Sequence, residues 1–240
     1  MKILALLLAT LCLSMSPKQV AKSCPKPLRV AIVDTGLDLD DPRFRDLLCD
    51  GTHKNFVGGK MIDDYGHGTH IAGLIKQYAG SKNYCLLIYK FYSDANPGSV
   101  NLSNEISAIQ LAISSGADII NLSEGGPEFD EREYILIKDN PGVLFISAAG
   151  NDGKDLDKPE NEYYPSSYFL DNQVVVSSLT ADGKRAPTSN YGNLVTEKEI
   201  GDHVLSTLPN GKTGYMGGTS QAAAIHTGKI VRQMVEPCDR

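Results

Sequence analysis

Short apolar runs recur along this chain, each ending in small or polar residues, with helical patterns between them. Residues 28–33 (LRVAIV) form the first such run, which stops at Asp34-Thr35-Gly36. Others occupy 85–89, 119–122, 143–149 and 174–176. Continuous rather than alternating apolar character marks strands buried on both faces, as in a parallel sheet. Between the second and third runs, Leu102, Ile106, Ile109, Ala112 and Ile113 make a helical stripe, with Asn101 as its expected N-cap and Gly116 closing it. A second helix is expected over 129–138, stopped by Pro141-Gly142. Strands alternating with helices of this length predict βαβ units and a three-layer α/β/α domain with a mainly parallel central sheet. A chain of 240 residues suffices for one such domain. Ligands of these sheets sit beyond the carboxyl ends of the strands, where Asp34, Ser123-Glu124-Gly125 and Asn151 fall. Towards the C-terminus, 208–212 (LPNGK) reads as a hairpin turn, and a small-residue helix is expected from Gly217-Gly218-Thr219-Ser220 through about Met234.

The formal net charge is -6 and the basic residues do not cluster, which removes the electrostatic footprint of a nucleic-acid binder. Residues 1–16 combine a positive start, an apolar run and small residues behind it, the pattern of a signal peptide. The apolar run is far shorter than the roughly 20 residues of a membrane-spanning helix. Residues 17–27 are then a short N-terminal segment, and the mature protein is expected outside the cytoplasm, unattached to a membrane. Cys24, Cys49, Cys85 and Cys238 remain, an even count that predicts two disulfides among three possible pairings.

Four segments carry chemistry. Asp34-Thr35-Gly36 after an apolar strand also suits an aspartic protease, but that mechanism needs a second such carboxylate, and the chain has no second Asp-Thr-Gly. Gly66-His67-Gly68-Thr69-His70 places a histidine at the start of a helix between glycines, as a general base requires. His67 and His70 lack the intervening glutamate of a zinc-binding His-Glu-x-x-His helix, and His70 reads as a structural core residue. Gly218-Thr219-Ser220 presents a hydroxyl at a helix N-terminus, where free N–H groups favour a developing anion, although a serine there is more often a simple N-cap. Ala149-Gly150-Asn151 adds an amide donor at a strand end.

These segments, in the order Asp, His, Asn, Ser and together with Asn121-Leu122-Ser123-Glu124-Gly125-Gly126, resemble the subtilisin-like serine proteases, or subtilases, from about Leu28 to Met234. The resemblance implies a secreted serine endopeptidase whose catalytic domain spans 28–240. Ser220 is the nucleophile, His67 the base and Asp34 its orienting partner, with Asn151 in the oxyanion hole. It further implies substrate contacts at Ser123, Glu124, Gly125, Ala149, Gly150 and Asp152, a polypeptide substrate paired as an added strand, no cofactor or metal, and a monomer. By the same resemblance, the Tyr164-Pro165 bond is expected to be cis.

Departures from the family pattern carry expectations too. The serine motif continues as Gln221-Ala222-Ala223-Ala224 where relatives have Met-Ala-x-Pro. About ten to fifteen residues stand between the signal segment and the first strand, too few for the pro-domain that most secreted relatives carry. The interval from Gly73 to Cys85 is too short for an inserted calcium loop, while Asp38, Asp40 and Asp41 form an acidic loop with a weak claim on a cation. Glu124 and Asp152 place two acids in the cleft, which favours basic side chains near the cut.

Overall fold

The computed structural model describes residues 26–235 except Lys82. The signal segment, Cys24 and Cys238 therefore lie outside the described residues. The chain runs β1 (Leu28–Asp34), β2 (Lys54–Asn55), α1 (His67–Ala79), β3 (Tyr84–Lys90), α2 (Gly98–Ser114), β4 (Ile119–Leu122), α3 (Glu131–Lys138), β5 (Leu144–Ala148), β6 (Gln173–Leu179), β7 (Glu197–Ile200), β8 (Val204–Thr207), β9 (Thr213–Met216) and α4 (Thr219–Val235). Seven strands form one sheet in the order β2-β3-β1-β4-β5-β6-β7, and every pairing within it is parallel.

Strand alternation divides the apolar side chains into two cores. Val30 and Ile32 of β1 join Leu86, Ile88 and Ile146 against Ile71, Ile75 and the Ala222-Ala223-Ala224 run of α1 and α4. Ala31 and Val33 join Leu87, Ile120 and Phe145 against Ile109, Ala112 and Ile137 of α2 and α3. The sheet is thus covered on both sides, which is why its strands read as unbroken apolar runs. Each fully buried Leu or Ile stabilises the fold by about 1.5–3 kcal/mol, so neither core is dispensable.

Two helix starts differ from the sequence reading. Asn101 does not cap α2, which begins after Pro97; instead Asn101 Nδ2 donates to Ser93 O at 3.0 Å and Oδ1 accepts from Ser93 N–H at 3.2 Å, tying down the preceding loop. α3 begins at Glu131, capped by Asp130, whose Oδ1 accepts from Arg132 N–H at 2.8 Å. Phe129 lies outside that helix and meets the rings of Tyr134, Tyr164 and Tyr168. The hairpin joining β8 to β9 is present, with Asn210 and Gly211 both at positive φ. The Tyr164-Pro165 bond is cis. One disulfide joins Cys49 to Cys85 among the described residues. Within the acidic loop, the Asp41 carboxylate is already held by Arg43 at 2.6 Å, which leaves little of the cation claim.

Candidate active site

Asp34 is the last residue of β1, at the carboxyl edge of the sheet, and is 1% exposed. Its Oδ1 accepts from Thr35 N–H at 2.7 Å and faces His67 Nδ1 at 2.8 Å. His67 is the first residue of α1, so the strand end and the helix start must nearly touch. A Cβ on Gly68 would collide with Gly36 O and lie 3.1 Å from Asp34 Oδ1, so only glycine permits that approach. Gly68 N–H also donates to Thr35 Oγ1 at 2.9 Å.

The start of α1 is fixed by Asp63, a residue the motifs did not single out. Its carboxylate is 5% exposed and accepts five hydrogen bonds, from Thr35 Oγ1, Tyr65 N–H, Gly66 N–H, Thr69 N–H and Thr69 Oγ1. Because α1 has Gly66 at its N-cap position, with no side chain to cap the helix, Asp63 takes the Thr69 N–H of the first turn while Thr35 Oγ1 takes that of Gly68. His70, on the same helix, is fully buried; its Nε2 lies 3.2 Å from both Val204 O and Gly214 O, and burial lowers its pKa. It is a neutral structural residue, as its sequence context implied.

Ser220 is the second residue of α4 and is 7% exposed. Its Oγ donates to Ser123 O at 2.7 Å, and Ser123 Oγ donates in return to Ser220 O at 3.3 Å. No hydrogen bond joins Ser220 to His67 among the described residues; the hydroxyl is engaged with Ser123 O instead.

Asn151 follows β5 and is exposed. Its Oδ1 accepts from Thr219 N–H at 3.0 Å and Thr219 Oγ1 at 3.1 Å, which ties the side chain to the start of α4 and marks Nδ2 as the donor end. Asn190, fully buried and likewise unnoticed in the sequence, staples the surrounding segment. Its Nδ2 donates to Ala149 O at 2.9 Å, and its Oδ1 accepts from Asp152 N–H at 3.1 Å and Lys154 N–H at 2.9 Å. Gly150 N–H donates to Thr219 Oγ1 at 3.1 Å, linking the end of β5 to the start of α4.

Ser123, Glu124 and Gly125 follow β4, and Gly126 pairs with Tyr164 as an isolated antiparallel bridge. Glu124 Oε1 lies 3.4 Å from His67 Nδ1, on the same nitrogen that faces Asp34. Asp152 is exposed and is not among the charges acting on His67. Burial disfavours the charged imidazole, but Asp34, followed by Glu124 and Asp63, outweighs it and raises the His67 pKa to about 9. Burial likewise pushes the Glu124 carboxyl up to about 7, against the pull of His67. Asp34, His67 and Glu124 bring three potential ligand atoms within 4.8 Å of one another, but Asp34 already takes up Nδ1 at hydrogen-bond distance.

Asp34 at a strand end thus pairs with His67 at a helix start, while Ser220, near the start of α4, is hydrogen-bonded to Ser123. The family model that matches this chain is described as the subtilase family and covers residues 26–234. The chain belongs to the subtilase family. Among curated relatives, it is 36% identical over 234 residues to the major intracellular serine protease of Bacillus subtilis (strain 168), covering 90% of this chain and 71% of that protein. It is 32% identical over 219 residues to an intracellular serine protease of Paenibacillus polymyxa, covering 85% of this chain and 65% of that one. Among solved structures, a lanthipeptide protease superposes with a TM-score of 0.72 at 26% identity, over 89% of this chain and 75% of that chain. These relatives place this subtilase among the serine-type endopeptidases.

Proposed function

We propose that this subtilase hydrolyses peptide bonds through an acyl-enzyme, with Ser220 attacking the scissile carbonyl and His67 taking and returning the proton. Asp34 orients the imidazole and stabilises its charged form. Asn151 Nδ2 and the Ser220 N–H hold the oxyanion, while 123–125 and 149–152 line the bound polypeptide. The observation that carries this reading is the 2.8 Å pairing of Asp34 with His67 Nδ1, which leaves Nε2 as the working nitrogen. No cofactor is needed for these steps, and a monomer suffices, since every group invoked comes from one chain.

The Ser220 hydroxyl, engaged with Ser123 O rather than His67, favours a second reading in which the cleft binds peptides without cutting them. A fluorophosphonate, which reacts only with an activated serine, separates the two. The expected result is stoichiometric labelling at Ser220, abolished by Ser220→Ala; a folded wild-type protein that resists labelling would leave the binding reading standing. The chain is also proposed to work outside the cytoplasm, although the two relatives above are named as intracellular. The pattern of residues 1–16 and the Cys49–Cys85 disulfide support export. Among the described residues, no helix is long and apolar enough to cross a membrane.

A further inference from the structure

Beside the cleft, on the face of the sheet covered by α2 and α3, a cavity of about 270 Å³ is lined by Phe91, Leu102, Glu105, Glu124, Glu133 and Tyr164, among others. Glu105 comes from α2 and Glu133 from α3, and they are 5% and 1% exposed. Oε1 of each is buried without a hydrogen-bond partner. Glu133 Oε2 accepts from the Tyr168 hydroxyl at 2.7 Å. Buried carboxylates are ordinarily paired with a cation or saturated with donors, and these two are neither.

Their surroundings supply no counter-charge. Burial raises the Glu105 pKa most, and the charged neighbours that act on it, Glu133, Glu124 and Asp34, are all acidic. Burial pushes the Glu133 carboxyl up to about 7, with Asp130 adding to the rise and only the Tyr168 hydroxyl opposing it. Glu128 also lines the cavity, so the titratable groups facing it from α2, α3 and the segment after β4 are all glutamates, and the other titratable residues that line it are Tyr92 and Tyr164. No third ligand atom gathers with Glu105 and Glu133 among the described residues, which leaves a divalent metal without a ligand set. The volume lies just below the ~300–1,000 Å³ of small-molecule sites and suits a single side chain. Phe91, Leu102 and Tyr164 offer apolar wall for an aliphatic stem whose charged head lies deeper.

We propose that this cavity receives a lysine or arginine side chain of the polypeptide substrate, with Glu105 and Glu133 as its carboxylate partners and Glu124 joining the cavity to His67. The proposal rests on the peptide-cleft reading above and adds the substrate class. Glu105 and Glu133 are specificity-determining residues whose counter-ion arrives with the ligand. Protons held by the two carboxyls leave as the cation enters, so binding is tighter at higher pH across the range in which they titrate.

The test uses the Ser220→Ala protein, so that binding is read without cleavage. Fluorescent hexapeptides of one parent sequence carry arginine, lysine, citrulline or norleucine at each position in turn, and anisotropy is measured at pH 8. The expected result is one position at which arginine and lysine bind at least tenfold tighter than citrulline and norleucine. Adding Glu105→Gln and Glu133→Gln should shrink that preference below twofold while leaving the norleucine peptide unchanged. Glutamine matches the protonated carboxyl in shape, and circular dichroism checks the fold. Calorimetry of the unaltered cavity in two buffers of different ionisation enthalpy should show proton release with the arginine peptide and none with the norleucine peptide. Equal binding at every position, a preference that survives the double substitution, or no proton release would each overturn the proposal. Failure of the peptidase reading would appear separately, as absence of fluorophosphonate labelling.

Discussion

At the scale of single residues, the proposed mechanism makes His67 the group that sets the working pH, with its neutral form as the base. Burial disfavours its charged form, but Asp34 first and Glu124 next outweigh that and raise its pKa to about 9. A base whose protonated form is favoured becomes available only as pH rises, so kcat/KM should climb along an alkaline limb displaced above the ordinary histidine value of about 6.5. Glu124→Gln removes a negative charge 3.4 Å from the imidazole. The protonated imidazole then loses support, its pKa falls and the limb moves towards acid, by about one pH unit, or ~1.4 kcal/mol, once solvent screening of a partly exposed pair is allowed for. Steady-state rates on one chromogenic peptide from pH 5 to 10 would measure this. A limb that stays in place in the variant would mean that Glu124 does not act on His67. The opposite shift would contradict the sign of the interaction.

At the scale of elements, α1 is the part whose placement the site cannot do without. Its first residue is His67, and Asp63 fixes that end by accepting from three residues of the Tyr65–Thr69 stretch and from Thr35 beside Asp34. Asp63→Ala leaves buried donors unpaired and should cost about 1–3 kcal/mol of stability. Because the loss also loosens His67 against Asp34, kcat should fall more than KM rises, as urea midpoints and steady-state kinetics on the same preparation would report. The sequence made the core strands legible because a sheet covered on both faces leaves unbroken apolar runs, and the His67 and Ser220 helix starts legible because glycine and small residues surround them. It concealed Asp63 and Asn190, since a buried polar residue that saturates distant backbone groups looks like any loop Asp or Asn. β7, with the sequence EKEI, was invisible for a related reason: it pairs on only one side, at the edge of the sheet, and carries charges there. The misplaced Asn101 cap shows the same limit, because its side chain serves the 93 loop through bonds that no local pattern specifies.

At the scale of the whole molecule, the Cys49–Cys85 bond ties the segment before β2 to the second residue of β3. In a parallel sheet the strands begin at one end and deliver their functional residues at the other; Cys85 lies near the start of β3, whereas Asp34 ends the neighbouring β1. The disulfide therefore stabilises the fold from the end remote from the cleft. It closes a loop with a sequence separation of 36 residues, which in the chain-entropy account limits the unfolded ensemble by about 3–4 kcal/mol. Replacing both cysteines, Cys49→Ala with Cys85→Ala, should lower the thermal midpoint by about 6–16 °C for a chain of this size. Turnover at 25 °C should be unchanged, because no residue at the carboxyl edge moves. Reducing the wild-type protein with dithiothreitol should lower the midpoint similarly, as expected of a bond that depends on an oxidising compartment. Calorimetric scans with and without reductant, alongside kinetics of the double variant, would test this. A midpoint that does not move would show that the link adds nothing to stability, and a drop in turnover at unchanged stability would mean that the two ends of the sheet are mechanically coupled.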